Sequence, residues 1–356
     1  MKIAVEHLKT VCTALLKALG ATPREAEIVS ENLVLSEMRG IKTHGINYLP
    51  KIAMRIEHNQ LNVPTTLRTI LDSGAVTHID GNNGLGQVAA EEGMRQSITK
   101  AGQFGIGLSL IRNTNNVGSL AFYSSMAATE GMIGFCMCNS APSMAPWGGA
   151  EPFFGTNPFS VSAPSGEDFS LVLDMATSIV ARGKIRSALK ANKRIPFGWA
   201  LNNSGVPTEN PAEAMQGTLI PIGGPKGYGM AFFIDLFCGL LSGSKYSRDL
   251  LTFHEPLGPT GVGATTLAVD IAHFMAMDRF NALIRDYIKA IRESKKADGV
   301  DRIYAPGEIE AEKQHISLLE GVDIDSVQAK EINDLLEKMN INVRIEDVVD
   351  VKERGM

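Results

Sequence analysis

TLRTILDSGAVTHID, residues 66–80, is where this chain changes its period. TLRTIL (66–71) and AVTHID (75–80) alternate like two strands, and Asp72-Ser73-Gly74 reads as the turn between them. Everything before this stretch reads as helix. Residues 4–19 carry Val5, Leu8, Val11, Cys12, Leu15 and Leu19 at helical spacing, and Gly20 ends the segment. Thr22-Pro23-Arg24-Glu25 is a capping box with proline at the first helical position. That second helix runs through Ile28, Val29, Leu33 and Met38 to a C-cap at Gly40. A third is expected from Thr43–Asn47 to about His58, with Pro50 in its first turn.

Beyond residue 80 helices and strands mix. GQVAAEEGMRQSITKAGQFG (86–105) reads as a helix, IGLSLIR (106–112) as a strand and SLAFYSSMAATEG (119–131) as a helix. MIGFCMCNS (132–140) is a buried strand, and FSVSAP (159–164) and FSLVLDMA (169–176) form another strand pair. GWALNNSGVPT (198–208) is a hairpin turning on Asn202–Gly205. YGMAFFIDLFCGLLSG (228–243) is a helix apolar nearly all round, so it is expected to be buried. TTLAVDI (265–271) is a strand and DRFNALIRDYIKAIRES (278–294) an amphipathic helix. Two more helices follow near 308–319 and 326–339, then a charged tail. The fold class is therefore α/β (α+β), a strand-rich middle between helical ends; that the ends pack together as one domain around it is an expectation the sequence alone does not establish.

Composition narrows the function. The 34 basic and 39 acidic residues leave a net charge of −5 with no basic run, which argues against nucleic acid and anionic membrane as partners. Cys12, Cys136, Cys138 and Cys238 show neither paired metal spacing nor a secreted framework. Cys136 and Cys138, two apart in an apolar run, belong on one side of a buried strand. MKIAVEHLKTV lacks a signal peptide's apolar core, and MAFFIDLFCGLL (230–241) is shorter than a membrane span and contains Asp235. A reducing cytoplasm is the expected compartment.

The chemistry-bearing motifs are few. No G-x-G-x-x-G opens a helix after a strand; GNNGLG (81–86) lies in a turn. Gly223-Gly224-Pro225-Lys226-Gly227 opens the apolar helix, where free N–H groups and a lysine suit an anion. A glycine-rich cap with a solvated lysine is the plain alternative. His44, in RGIKTHG (39–45), has the titration range for acid–base work, although a lone histidine is more often structural. The other histidines are scattered without metal-ligand spacing, so no metal is expected. Asn113-Thr114-Asn115-Asn116-Val117-Gly118 joins a strand to a helix, a place for a ligand or for an N-cap.

These segments, taken in order with SAPSMAPWGGAEPFFGTNPFSVSAPS (140–165), LVLDMATS (171–178), ARGKI (181–185), IPFGWALNNSGVPTENP (195–211) and YAPGE (304–308), resemble the malate/L-lactate dehydrogenase family unrelated to Rossmann-type enzymes. The resemblance implies a non-Rossmann NAD(P)-binding domain with a mixed, largely antiparallel sheet. It implies a metal-free oxidoreductase acting on a 2-oxo or 2-hydroxy acid with NAD or NADP, and a homodimer. It assigns residues 71–244 to NAD(P) binding, and 1–70 plus 245–356 to a helical unit for dimerisation and substrate. By motif position His44 is the proton donor or acceptor, with Asn116 at the carbonyl. Ser140, Asp174, Met175, Ala176, Lys226, Gly227, Pro306, Gly307 and Glu308 match cofactor positions, and Thr43, Tyr48 and Thr156 substrate positions.

Three positions depart from the family's pattern. Asn116 stands where the family has a second histidine, Tyr48 where it has a carboxylate-binding arginine, and Ile52 where it has a tyrosine. An asparagine cannot move a proton. Arg55 is a candidate replacement for the missing arginine. The departures leave open a cyclic imine reductase, a ureido-substituted hydroxy acid as substrate, or a cofactor-binding protein with weakened catalysis.

Overall fold

The computed structural model describes residues 1–347; the end of the charged tail, 348–356, lies outside the described residues. The chain opens with β1 (Lys2–Ile3) and three helices, α1 (Val5–Ala18), α2 (Pro23–Met38) and α3 (Leu49–Glu57). The strand-rich part follows as β2 (Arg68–Ser73), β3 (Val76–Asp80), α4 (Gly86–Phe104), β4 (Ile106–Thr114), α5 (Ala121–Thr129), β5 (Met132–Cys138), β6 (Phe159–Pro164) and β7 (Ser170–Met175). A smaller lobe comprises α6 (Arg182–Lys190), β8 (Ala200–Leu201), β9 (Pro207–Thr208), α7 (Pro211–Gln216) and β10 (Thr218–Leu219). Then come α8 (Pro225–Asp235), a π-helical turn Leu236–Leu241, β11 (Val262–Asp270), α9 (Met277–Arg292), α10 (Glu308–Glu320), β12 (Val322–Asp323) and α11 (Ser326–Lys338).

Local chemistry accounts for the helix starts. The Thr22 hydroxyl accepts from the Glu25 N–H at 3.3 Å, and the Glu25 carboxylate accepts from the Thr22 N–H at 2.7 Å. Pro50 falls in the first turn of α3, where its missing N–H costs nothing. Gly40 follows α2 in a left-handed conformation, φ +76°.

Tertiary structure rests on three apolar clusters. One packs α1, α2 and α3 against α11, with Leu8, Leu15, Leu33, Leu49, Ile332 and Leu336 buried, so the two ends of the chain share one core. A second lies between the large sheet and α4 and α5, and a third inside the small lobe around Phe154, Ile185 and Leu219. The large sheet has the order β2-β3-β4-β11-β5-β6-β7 and is antiparallel except for the β3–β4 pair, which α4 connects. Adjacent residues of β11 face opposite layers. Thr266 meets Ser97 of α4 at 3.0 Å, while Thr265 meets Cys238 of the π turn at 3.5 Å. Cys136 and Cys138 are buried together on β5.

Two expectations need correction. The helix at 228–243 is not buried all round: its inner side covers the sheet, but Phe232, Phe233, Leu240 and Leu241 are 44%, 61%, 54% and 53% exposed. An apolar circumference marks a surface to be covered, and this chain covers only part of it. The strand expected at 265–271 begins at Val262 and sits at the centre of the sheet, though 245–356 was grouped with the helical ends. Long-range pairing with β4 and β5 leaves no local signal of this.

The helix–sheet contact is tight at Gly107 of β4, where a Cβ would fall 2.0 Å from the Ser97 carbonyl oxygen. Gly107→Ala is expected to destabilise the fold by about 2–3 kcal/mol, read as a lower urea midpoint at unchanged m-value.

Candidate active site

RGIKTHG does not continue as an α-helix. It breaks into two short 3-10 turns, Lys42–His44 and Ile46–Tyr48, with Gly45 extended between them. Glu37 on α2 fixes this break. Its Oε1 accepts from the Ile46 N–H at 3.0 Å and from the Gln328 amide of α11 at 2.8 Å. A Cβ at position 45 would lie 1.9 Å from that oxygen, so glycine is required there. Burial pushes the Glu37 carboxyl above the usual range, and the hydrogen bonds from Gln328 and Ile46 oppose it.

The turn presents Thr43, His44 and Tyr48 together. The Thr43 hydroxyl lies 3.0 Å from His44 Nδ1. The His44 ring stacks with Tyr48, centroids 6.1 Å apart and planes 18° apart. Phe253 and His254 flank Tyr48 at 5.8 Å and 6.2 Å, and the Lys51 ammonium lies 4.3 Å from the Tyr48 ring centroid. Desolvation, then the Lys51 charge, lowers His44 to about 4. His254 is lowered to about 4 by desolvation and by Lys51, Arg186 and His44. Lys51 falls to about 8 through desolvation and the charge of Arg186. Burial raises Tyr48 to about 12, with the Asn116 side chain and Arg186 pulling the other way.

Asn116 therefore belongs to this group. Its Oδ1 accepts from the Gly118 N–H at 3.0 Å, which turns the amide NH₂ into its remaining polar function. The neighbouring asparagines serve the fold. Asn115 bonds to Gly84 and Thr260, and Asn113 to Asp80. The GNNGLG turn packs on this segment, since a Cβ at Gly86 would sit 2.3 Å from the Asn116 carbonyl oxygen.

The residues matched to a cofactor gather along β7. The Val172 N–H donates to the Pro306 carbonyl at 3.1 Å, and Gly307 turns at φ +85° against Val172 and Ser170. Glu308 serves that turn: its carboxylate accepts from the Ala305 N–H at 2.8 Å and pairs with Arg292 and Arg302. Asp174 Oδ2 accepts from the Ala121 N–H at 2.9 Å and the Ser119 hydroxyl at 3.3 Å, anchoring the start of α5. Its carboxyl is raised by burial. Met175 and Ala176 follow, half-buried. Thr177 donates to the Thr156 carbonyl at 2.8 Å and accepts from Ile222 at 2.9 Å. There Gly227 packs so closely that a Cβ would lie 2.4 Å from the Ile222 oxygen and 2.7 Å from that of Thr177. Ser140 reaches the same end, its N–H donating to Asn157 Oδ1 at 3.1 Å. Lys226 is exposed in the first turn of α8, beside Gly223 and Gly224, both with positive φ. Small residues at the points of closest backbone approach, and an unshielded lysine at a helix N-terminus, fit a dinucleotide phosphate.

Arg55 is not the missing carboxylate anchor. Its side chain is fully buried, and its guanidinium donates to the carbonyls of Thr252 at 3.3 Å, Glu255 at 3.0 Å and Gly258 at 2.5 Å. It holds the loop that carries Phe253 and His254. Lys51, Arg186 and His254 are site residues that sequence reasoning missed. Lys51 alone left a signal, one helical turn after Tyr48 on the same face.

The profile of the family described as Malate/L-lactate dehydrogenase matches residues 3–333. The chain belongs to that family. It is 34% identical to a malate dehydrogenase of Pyrococcus horikoshii over 96% of each chain. It is 33% identical to an NAD(+) ureidoglycolate dehydrogenase of Escherichia coli, over 94% of this chain and 96% of that one. The solved sulfolactate dehydrogenase of Methanocaldococcus jannaschii superposes with a TM-score of 0.91 at 32% identity, covering 98% of this chain and 99% of that one. The α/β fold with a mixed sheet is the family's fold.

The Glu37–Gly45 contact ties the turn that carries His44 to the helical core. Gly45→Ala is expected to lower turnover by roughly 10²-fold through displacement of His44, with far-UV circular dichroism retained.

Proposed function

We propose that this protein is an NAD- or NADP-dependent dehydrogenase that interconverts a 2-oxo acid and the corresponding 2-hydroxy acid, with His44 moving the proton. The observation that carries this reading is the turn that holds His44 beside Tyr48, with Asn116 and a group of cations around that ring. The malate, sulfolactate and ureidoglycolate dehydrogenases to which it is related support the substrate class.

Bound nicotinamide would supply or accept the hydride at the substrate's C2. Lys226 and the glycine-rich start of α8 would hold its phosphates, with Ser140, the Asp174–Ala176 segment and the Pro306–Glu308 turn along β7. The protein's own part is orientation and proton transfer. With Nδ1–H donating to the Thr43 hydroxyl oxygen, His44 Nε2 keeps its lone pair and can take the proton of a 2-hydroxyl. For reduction His44 must carry a proton, and an anionic substrate beside it raises its pKa toward the working range. The Asn116 amide donates to the carbonyl oxygen and fixes it without titrating.

Reduced nicotinamide, followed by its absorbance, is expected to be consumed with one or more acids from a panel of pyruvate, oxaloacetate, sulfopyruvate and oxalurate, the 2-oxo partner of ureidoglycolate. His44→Ala should lose roughly 10²–10⁴-fold in kcat; an unchanged rate removes the proton-transfer role. A cyclic imine such as Δ1-piperideine-2-carboxylate in the same panel tests for imine reduction.

We also propose a cytoplasmic homodimer. The exposed Phe232, Phe233, Leu240 and Leu241 on one helical surface support a covered face, and all four cysteines are free and buried. Phe233→Asp with Leu240→Asp should yield monomers by light scattering. A dimer of undiminished stability places the interface elsewhere.

A further inference from the structure

The family's carboxylate-binding arginine is absent at position 48, yet the pocket around His44 is not short of positive charge. Lys51 lies three residues after Tyr48, one turn along α3 on the same face. Its ammonium sits 4.3 Å from the Tyr48 ring centroid, half-buried, with no ion-pair or hydrogen-bond partner among the described residues. An aromatic face attracts an ammonium but does not neutralise it. The full charge therefore stays available to a ligand. Arg55, the other cation of α3, is committed to three backbone carbonyls.

We propose that Lys51 is the carboxylate anchor of this enzyme, displaced by one helical turn from the position the family uses, and that it receives the C1 carboxylate of the 2-oxo acid beside His44. The inference rests on the 2-oxo acid reading above. It gives Tyr48 a role as well: the ring fills the space an arginine side chain would cross and supports the ammonium from below.

Replacing an arginine by a lysine changes the pH behaviour of the anchor. A guanidinium does not titrate in the working range, whereas the Lys51 ammonium is lowered to about 8, first by desolvation and then by Arg186. The groups facing it are His44 and Tyr48 on the catalytic turn, Arg186 on α6, His254 on the loop before β11 and Glu331 on α11. Glu331 is the only one whose charge favours the ammonium. His44 and His254 change charge near 4 and Tyr48 near 12, so of these four side chains Lys51 is the one that changes charge near 8 in the ligand-free protein. The Lys51 contribution to anion affinity is then complete below about 8 and lost as pH rises through it.

The test uses oxalate, a small dicarboxylate that mimics a planar 2-oxo acid, titrated by calorimetry into the protein with and without NADH or NADPH. Wild type, Lys51→Met and Lys51→Arg are compared, and KM and kcat are measured for any 2-oxo acid that turns over. Lys51→Met is expected to weaken oxalate and raise KM by roughly 30-fold, the loss of one charge-assisted hydrogen bond, with kcat less affected. Lys51→Arg should keep oxalate affinity and abolish the alkaline loss seen in wild type. Wild type that binds no oxalate, Lys51→Met that binds it equally well, or a step near pH 8 that persists in Lys51→Arg each overturns the anchor. The two readings fail separately. Oxalate binding that needs Lys51, without turnover of any 2-oxo acid, retains the anchor and removes the reaction. Turnover with an unchanged KM in Lys51→Met does the reverse.

Discussion

One buried carboxyl, Glu37, joins the parts on which the site depends. It stands on α2 inside the helical core, accepts the Ile46 N–H that closes the catalytic turn, and accepts the Gln328 amide from a helix 291 residues further along the chain. Its Oε1 also occupies the space a side chain at position 45 would need. The turn carrying His44 is thus held from beneath by a contact formed only when both ends of the chain have packed into one core. The geometry of the His44 turn therefore depends on that core being assembled. Burying a carboxyl is unfavourable unless its hydrogen bonds are made, so a chain with α11 undocked would leave Glu37 free to leave the interior and release the turn.

The region around β7 is held by backbone contacts together with charged side chains that close its turns. Along β7 and just past it, Val172 bonds to Pro306, Asp174 to the start of α5 at Ala121, and Thr177 to Ile222 before α8. Glycines stand where these segments touch, at 227 against Ile222 and Thr177 and at 307 against Val172. Several residues matched to the cofactor therefore do structural duty first. Asp174 caps α5, and Glu308 closes its own turn against Arg292 and Arg302. A dinucleotide held here would meet closely packed backbone and one exposed lysine, Lys226. Such a surface distinguishes ligands by shape more than by charge.

Much of this was legible in the sequence, for reasons that differ by element. The capping box at Thr22–Glu25, the hairpin around 202–205 and the alternating strands at 66–80 are local, and local chemistry decides them. The position of β11 between β4 and β5 was not legible, because pairing across more than a hundred residues leaves no mark in the strand itself. The helix at 228–243 misled differently: its apolar circumference records that something covers it, not whether the cover is this chain. In the site, His44 stood out with its motif. Lys51 was visible only as a residue one turn past Tyr48. His254 and Arg186 arrive through tertiary packing, 210 and 142 residues downstream of His44. Arg55 was misread because nothing in a sequence tells a guanidinium that will bind a ligand from one that will bind three carbonyls.

The cations around Tyr48 also bear on how the enzyme sets its own proton. Desolvation and mutual repulsion push His44, His254 and Lys51 toward their neutral forms. An anion entering between them acts on all three at once, since each gains an opposite charge and loses part of the repulsion. Lys51 lowers His44 in the free protein, so whatever pairs with Lys51 relieves His44. A substrate carboxylate on Lys51 would raise the proton affinity of the imidazole beside it. Binding and acid formation are then linked by electrostatics alone, with no conformational change required. Tyr48 suits this arrangement better than a carboxylate partner would: it holds the ammonium in place while leaving its charge uncompensated until the substrate arrives.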